Sequence, residues 1–161
     1  MSIVEVDNIK KIFSELQLHP AYLEHEPVLT SEQAANTRGF ELKQGIKSIL
    51  FTNGSGEYAV ADVPADKKVN QKALAEAVGW SKSVVRMATP SEVLEITGCE
   101  IGSVPPFGHK KQIPIFVDFG VYDNEESDFN IGLLTHSVKI KTEEMKTVFS
   151  HFKAKEGRFV K

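Results

Sequence analysis

The sequence predicts one domain of the mixed α/β (α+β) class, built on a largely antiparallel or mixed sheet. About seven strand segments and five helical segments follow one another in mixed order, and no βα unit repeats along the chain. The 161 residues, 41% of them hydrophobic, suffice for one buried core. Since no linker or low-complexity stretch divides the chain, we expect residues 1–161 to fold as a single domain.

The first elements are predicted from apolar spacing and helix caps. Four apolar residues recur at the spacing of one helix face: Ile9, Ile12, Phe13 and Leu16. A helix is therefore expected to begin after Asp7 or Asn8. AYLEHE then reads as a short strand, and a capping box at Thr30 opens a helix through about Thr37.

The middle of the chain carries the clearest local signals. IKSILFTNGSGEYAVADV is typical of a hairpin, since two apolar runs flank turn residues. Asn70 can cap the helix that follows it, and SVVRMA predicts a strand. A capping box at Thr89, with proline at the first helical position, opens another helix that Gly98 ends.

The last third predicts strands and one helix. IPIFVDF is a strand, the acidic stretch YDNEESD is a turn, and FNIG and THSVKI are two further strands. A final helix is expected to begin at Thr142.

Composition excludes several classes of protein. The net charge of −3 argues against a wide nucleic-acid-binding surface, and no apolar run approaches the roughly 18 residues of a membrane span. The start resembles no signal peptide, so a cytoplasmic location without membrane contact is expected. Cys99 is the single cysteine and the five histidines lack metal-ligand spacing, so we expect neither a metal nor another cofactor.

The stretch GSVPPFG, residues 102–108, breaks local rules. Glycine permits unusual backbone angles whereas proline fixes its own and lacks an N–H, so this loop is unusual in shape and also stiff. The amides of Ser103, Val104, Phe107 and Gly108 remain as donors. Such a loop suits one small acceptor, such as an ester carbonyl, better than a triphosphate. A rigid connection without a ligand is the alternative, and Lys110–Lys111 follow directly.

Two polar side chains fall on apolar strand faces. Strand alternation puts Lys47 with Ile49 and Phe51 on a strand that is apolar on both faces, so we expect that strand to be central. A lysine there needs water, a counter-ion or a substrate at its ammonium, and snorkelling at a strand end is the alternative. His136 shares its face with Val138 and Ile140, where a hydrogen-bonded core residue is the commoner role.

Four stretches, taken in order, resemble the YbaK / prolyl-tRNA editing domain family of ProX-like aminoacyl-tRNA deacylases. They are HEPVLTSEQAANTRG, IKSILF with its lysine, ITGCEIGSVPPFGHKKQIPIFVD and FNIGLLTHSVKI. The third is the most specific, because it is similar to the family's Gly-x-x-x-Pro loop followed by a strand that ends in Asp. The likeness covers nearly the whole chain.

The resemblance implies a barrel-like sheet flanked by helices. It also implies hydrolysis, in trans, of the ester that joins a wrong amino acid to the terminal adenosine of tRNA, in support of translation fidelity. It places the essential lysine at Lys47, the Gly-x-x-x-Pro loop at Gly102 to Pro106, and a pocket histidine at His136. The remaining substrate-binding candidates are Thr30, Ser48, Ser103, Val104, Pro105, Pro106, Phe107 and Gly108. Mischarged tRNA is the implied partner, an aminoacyl-tRNA synthetase is a second candidate, and water is the implied attacking group.

The implied pocket is lined by stiff elements, so we expect it to exclude large side chains by overlap and to act on small residues, such as alanine or serine, on proline-type tRNA. GSVPPFG looks like the branch that clears alanine from proline tRNA, but that branch usually has Asn where this chain has Ser48. Two alternatives stay open. One is a non-catalytic tRNA-end or synthetase-associated binding module on the same fold. The other is a small-molecule esterase or amidase, which the lack of a G-x-S-x-G motif disfavours.

Overall fold

A computed structural model describes residues 3–27, 36 and 41–161. Thr30 and the predicted start of its helix lie outside these residues. The described helices are α1 (Ile3–Glu15), α2 (Gln71–Val78), α3 (Pro90–Thr97) and α4 (Thr142–His151). The strands are β1 (Ala21–Glu24), β2 (Ile46–Thr52), β3 (Tyr58–Pro64), β4 (Arg86–Met87), β5 (Ile115–Asp118), β6 (Glu126–Leu133), β7 (His136–Lys141) and β8 (Lys155–Gly157). Two 3-10 helices span Leu42–Gln44 and Phe119–Asp123.

The strands form two sheets, in the orders β1–β7–β6 and β4–β2–β3–β5–β8. Neighbouring strands are antiparallel except β3–β5 and β5–β8, so the predicted mixed, largely antiparallel pairing is confirmed. A parallel bridge between Gly45 and Asp128 joins the free edge of β6 to the start of β2. Within the described residues the strands do not close into a barrel. The barrel-like shape that the resemblance implies is therefore two sheets that meet at this bridge.

Local capping signals set the boundaries of α2 and α3 as predicted. The Asn70 side chain accepts from the third amide of α2, and Gly79 ends that helix in the left-handed conformation. At α3, the Thr89 side chain accepts from the Glu92 amide while Glu92 accepts from the Thr89 amide, which is a complete capping box. Gly98 ends α3, again left-handed.

Several elements differ from the prediction. Helix α1 begins at Ile3 rather than after Asp7 or Asn8, because the apolar stripe that packs on the core starts already at Val6. SVVRMA forms only the two-residue strand β4, which pairs with the end of β2. Strand β8 was not predicted: its residues Lys155–Gly157 are polar or small, and parallel pairing with β5 alone makes them a strand.

Three buried clusters hold the domain together. One fills the space between α1, α4 and the three-stranded sheet, where the rings of Phe13 and Phe129 both contact Phe107. The five-stranded sheet is covered on both sides, with Phe51 packing towards α2 and Leu50 packing towards α3. Among the described helices, none is long and apolar enough to cross a membrane.

Candidate functional site

Strand β2 presents Lys47 as the alternation predicted. We call the side that carries Lys47, Ile49 and Phe51 the Lys47 side, and the side that carries Ile46, Ser48 and Leu50 the Ser48 side. Lys47 is half-buried and lies opposite Val63 of β3, which is fully buried. Strand β4 covers β2 only at Phe51 and Thr52. The predicted central position is therefore correct for the end of β2. At the Lys47 end β3 is the only paired strand of the same sheet, β6 approaches through the Gly45–Asp128 bridge, and Lys47 stays partly exposed.

The Lys47 ammonium has weak electrostatic support. Burial lowers the pKa of Lys47, the negative charge of Asp66 raises it, and the positive charge of Lys68 lowers it further. Among the described residues no carboxylate lies within ion-pair distance of its Nζ. A half-buried cation without a close counter-ion gains from an anionic ligand such as a phosphate.

Hydrogen bonds at Ser103 and Pro105 hold the 102–108 loop in place. Ser103 donates its amide and its hydroxyl to the Glu100 carbonyl at 3.0 and 2.8 Å, and its own carbonyl accepts from the Gly132 amide. The Pro105 carbonyl accepts from Nε2 of His109 at 2.7 Å. Burial lowers the pKa of His109 to about 4, so the ring is neutral at physiological pH and is a fixed part of the loop's support.

The amides of the loop are less engaged than its carbonyls. The Ser103 amide, predicted to be a donor to the substrate, already donates to the Glu100 carbonyl in a tight turn. The amides of Gly102, Val104, Phe107 and Gly108 have no hydrogen-bond acceptor among the described residues. Both glycines are left-handed, with φ of +91° and +70°. The loop is therefore a stiff segment that keeps several donors uncommitted, which suits a bound carbonyl or oxyanion.

The Gly-x-x-x-Pro loop packs against the β6–β7 hairpin. Besides the bond from the Gly132 amide to the Ser103 carbonyl, a Cβ placed on Gly102 would lie 3.5 Å from Leu134. That is an ordinary contact distance, so Gly102 is required for its backbone angle and not for lack of space. Within the loop, Pro105, Pro106 and Phe107 are buried.

Ser48, predicted to bind substrate, points into the interior instead. Its register partner across the hairpin is Asp62, which is fully buried. Neither Ser48 Oγ nor either carboxyl oxygen of Asp62 makes a hydrogen bond. Burial raises the pKa of Asp62 well above its usual range, and the nearby Ser48 hydroxyl only partly opposes this. The hydroxyl of Ser48 is thus on the opposite side of the strand from Lys47.

His136 occupies the apolar side of β7, with Val138 and Ile140, as predicted. Its Nδ1 lies 2.8 Å from Thr135 Oγ1 and its Nε2 lies 3.4 Å from Glu24 Oε1. Both ring nitrogens therefore have neighbours on the protein, and the strand directs the ring away from the side that carries Ser137.

A polar side of the three-stranded sheet was missed by the sequence reasoning. Strand register places Asn130 opposite Ser137, and the bridge at Gly45 brings this side of β6 next to the Lys47 side of β2. Gly45 has an extended backbone and lies two residues before Lys47, so the two residues face the same side of β2. The polar residues on this side are Asp128, Asn130, Ser137 and Lys139. The alternation of polar and apolar residues in DFNIG could have indicated this polar side, because Phe129 and Ile131 are core residues on the opposite side of β6.

Lys110–Lys111 lie beside α3 and not over the loop. The Lys111 ammonium is 3.5 Å from the Glu95 carboxylate, and both lysine amides bond to the last carbonyls of α3. Lys111 borders a cavity of 560 Å³ next to Trp80, which none of the predicted site residues lines. In the described part of the chain, no three His, Cys, Asp or Glu side chains are grouped so that they could hold a metal ion.

Comparisons with known proteins agree on one family. The model of the aminoacyl-tRNA editing domain matches residues 25–148. The multifunctional Ser/Thr-tRNA deacylase ProXp-y of Escherichia coli (strain K12) is 33% identical over 122 residues, which cover 73% of this chain and 72% of that protein. The proline–tRNA ligase of Trichlorobacter lovleyi is 30% identical over 103 residues, which cover 64% of this chain and 17% of the ligase.

A solved structure supports the fold. It is described as a candidate trans-editing enzyme for prolyl tRNA synthetase, superposes with a TM-score of 0.83 at 23% identity, and the match covers 98% of this chain and 97% of that one. At this identity the likeness establishes the fold alone, and the predicted mixed α+β class is confirmed.

Proposed function

The chain belongs to the aminoacyl-tRNA editing domain family, as its four sequence stretches predicted, and we propose that it is a trans-acting deacylase of mischarged tRNA. The reaction is hydrolysis of the ester between the amino acid and the terminal adenosine. The observation that carries the proposal is the 102–108 loop. The carbonyls of Ser103, Pro105 and Gly108 accept hydrogen bonds from the protein, while four amides of the loop have no acceptor among the described residues.

In this mechanism the loop amides bind the aminoacyl carbonyl. They stabilise the oxyanion that develops when the ester is attacked, and since the loop is already rigid, little reorganisation is needed. Lys47 binds the phosphate of the terminal nucleotide and so places the ester at the loop. An aminoacyl ester is labile, so positioning and oxyanion stabilisation suffice.

Water is the attacking group, because none of the side chains that the structure describes near the loop is a suitable nucleophile. Cys99 is fully buried and burial raises the pKa of its thiol to about 11, so the thiolate is scarce at neutral pH. The Ser103 hydroxyl is committed to the Glu100 carbonyl. The Ser48 hydroxyl is buried on the other side of β2.

The substrates that we propose are tRNAs charged with small or hydroxyl-bearing residues. A rigid site excludes a large side chain by overlap. One relative is named a Ser/Thr-tRNA deacylase and another is a proline–tRNA ligase, which favours serine, threonine or alanine, with proline-type tRNA among the acceptors. An aminoacyl-tRNA synthetase is the proposed protein partner, and the cytoplasm, where tRNA is charged, the proposed location.

The test is a deacylation panel of alanyl-, seryl-, threonyl-, cysteinyl- and prolyl-tRNA, with buffer alone as the measure of spontaneous hydrolysis. We expect the small and hydroxyl-bearing esters to be cleaved well above the spontaneous rate and prolyl-tRNA to survive. Binding of tRNA without any cleavage would instead identify a non-catalytic tRNA-end module. Equal cleavage of prolyl-tRNA would contradict size exclusion.

A further inference from the structure

Two lysine doublets, Lys67–Lys68 and Lys110–Lys111, lie on opposite sides of the five-stranded sheet. The turn that carries Lys67–Lys68 leads from β3 into α2, and its next residue, Val69, is buried in the cluster on the Lys47 side of β2. The amides of Lys110 and Lys111 bond instead to the last carbonyls of α3, which packs on the Ser48 side. Of the two doublets, Lys67–Lys68 is therefore the one that shares a side with Lys47.

The backbone also brings the turn after β3 to the Lys47 end of β2. The Ala65 amide donates to the Gly45 carbonyl at 2.8 Å, two residues before Lys47 along the neighbouring chain segment. Three residues further on, the Lys68 carbonyl accepts from the Lys161 amide at 2.9 Å. The turn is thus held at both ends, and its lysines are carried by a fixed backbone beside the partly exposed Lys47.

The Lys67–Lys68 doublet consists of two exposed cations. Neither lysine lies within ion-pair distance of a carboxylate among the described residues, whereas Lys111 is paired with Glu95 at 3.5 Å. The positive charge of Lys68 lowers the pKa of Lys47, so the two ammonium groups act on each other.

The charges around this turn favour an anionic partner. Asp66 is the single acidic residue between β3 and α2, and Lys47, Lys67 and Lys68 outnumber it. The group formed by these four side chains is therefore net positive. A row of cations on one side of a sheet suits a chain of phosphates better than a single small anion.

We propose that Lys67 and Lys68 bind backbone phosphates of the tRNA acceptor end, next to the phosphate that Lys47 binds. The inference rests on the proposed function, in which Lys47 holds the terminal nucleotide. The strand that enters at Lys47 continues along the same side of the sheet, where the doublet contacts its backbone without reading its bases. So small a patch is compatible with the net charge of −3, which argues against a wide nucleic-acid-binding surface.

The test removes two positive charges from either place. Lys67→Gln/Lys68→Gln and the matched control Lys110→Gln/Lys111→Gln have the same net charge and differ in where the cations are lost. Lys67→Arg/Lys68→Arg keeps the charge of the doublet. Binding of uncharged proline-type tRNA is measured by fluorescence anisotropy from about 50 to about 200 mM KCl. KM and kcat are measured on the best substrate of the panel, with the melting temperature as the folding control.

We expect Lys67→Gln/Lys68→Gln to weaken tRNA binding roughly tenfold at about 0.1 M salt. The slope of log K against log salt should become shallower by roughly 1.4, since each phosphate contact on a single strand contributes about 0.7. KM should rise in parallel at unchanged kcat, because the doublet binds the tRNA backbone and not the reacting ester. The arginine variant and the Lys110–Lys111 variant should keep the affinity within about twofold and the slope of the wild type.

Two results would overturn the inference. An equal loss in the Lys110–Lys111 variant would show a general effect of net charge, and a wild-type slope in the Lys67–Lys68 variant would show that the doublet contacts no phosphate. Binding and cleavage fail separately. If tRNA binds through the doublet but no charged tRNA is cleaved, the deacylase function is wrong and the tRNA contact stands, whereas neither binding nor cleavage by the wild type would refute both.

Discussion

The two sides of strand β2 place ionisable groups in different surroundings. On the Lys47 side, a half-buried ammonium has Asp66 and Lys68 near it, and burial lowers its pKa. On the Ser48 side lies Asp62, the register partner of Ser48 on β3. Its carboxyl makes no hydrogen bond and is not exposed to solvent, and burial raises its pKa well above the usual range. A charge that is partly exposed can bind a ligand, whereas a group sealed in the core can only be neutral or destabilise the fold.

The comparison separates function from stability at neighbouring positions. Lys47 loses some solvation but keeps access to an anionic ligand, so its replacement should lower the catalytic rate. Asp62 has no access to substrate, so its replacement should change the free energy of unfolding. Each prediction below tests one side of this division, starting with the largest effect.

Lys47→Ala is expected to reduce deacylation by on the order of a hundredfold or more, because no other cation of β2 can hold the terminal phosphate. The melting temperature should change little, since the ammonium has no ion-pair partner among the described residues to lose. The measurement is cleavage of mischarged tRNA, with circular dichroism as the folding control. Lys43→Ala serves as the matched variant, because Lys43 is an exposed lysine four residues earlier. Full activity in Lys47→Ala would remove this residue from the mechanism.

Gly102→Ala is expected to lower kcat/KM by roughly ten- to hundredfold, since a residue with a Cβ resists φ of +91° and shifts the loop amides. The control is Gly56→Ala in the β2–β3 turn, where φ is +87° and a Cβ meets nothing within 4 Å. Both variants should lose a similar free energy of unfolding, on the order of 1–2 kcal/mol for the left-handed strain. Equal activity losses in the two variants would mean that strain, and not the position of the loop, is responsible.

Asp62→Asn is expected to flatten the pH dependence of stability. The folded-state pKa of Asp62 is raised. The protonated carboxyl therefore contributes its full share of the unfolding free energy below the unfolded carboxyl pKa of about 4, and this share is lost as pH rises through the folded-state pKa. Chemical denaturation from about pH 5 to about pH 8 should therefore show a steeper loss of unfolding free energy in the wild type than in the variant. Deacylation should be retained.

Asp118→Asn is the matched variant for Asp62. Asp118 is equally buried, but its two carboxylate oxygens accept from the Phe159 and Gly120 amides at 2.7 and 2.8 Å. Its substitution should destabilise the fold at neutral pH by about 1–3 kcal/mol, because charge-assisted bonds are weakened. If Asp62→Asn behaves in the same way as Asp118→Asn, then Asp62 has a partner in solution and the contrast across β2 is wrong.

His136→Ala should have the smallest effect. The ring shares its side with buried core residues and its nitrogens face Thr135 and Glu24, so the rates on seryl-, threonyl-, alanyl- and prolyl-tRNA should keep their ratios within about twofold. The panel is measured with the variant and the wild type in parallel. A change in the serine-to-alanine ratio of about tenfold or more would show that His136 contacts the substrate.

Features within a few residues of each other were determined by the sequence alone. The Thr89–Glu92 capping box, the Asn70 cap and the β2–β3 hairpin all formed as predicted, because each depends on hydrogen bonds or backbone angles between near neighbours. The stiffness of the loop was readable for the same reason, since glycine and proline act on their own φ angles.

Which distant residues meet was decided only by the tertiary structure. Alternation along β2 separated Lys47 from Ser48, but nothing local indicates that Asp62 lies opposite Ser48 without a hydrogen bond, or that Glu100 accepts the Ser103 amide. The contact between His25 and Ser137 spans 112 residues, and strand β8 exists only through its pairing with β5. Strand periodicity specifies a side of the chain, whereas a side chain's partner depends on sheet order and register, and these are set by packing of the whole core.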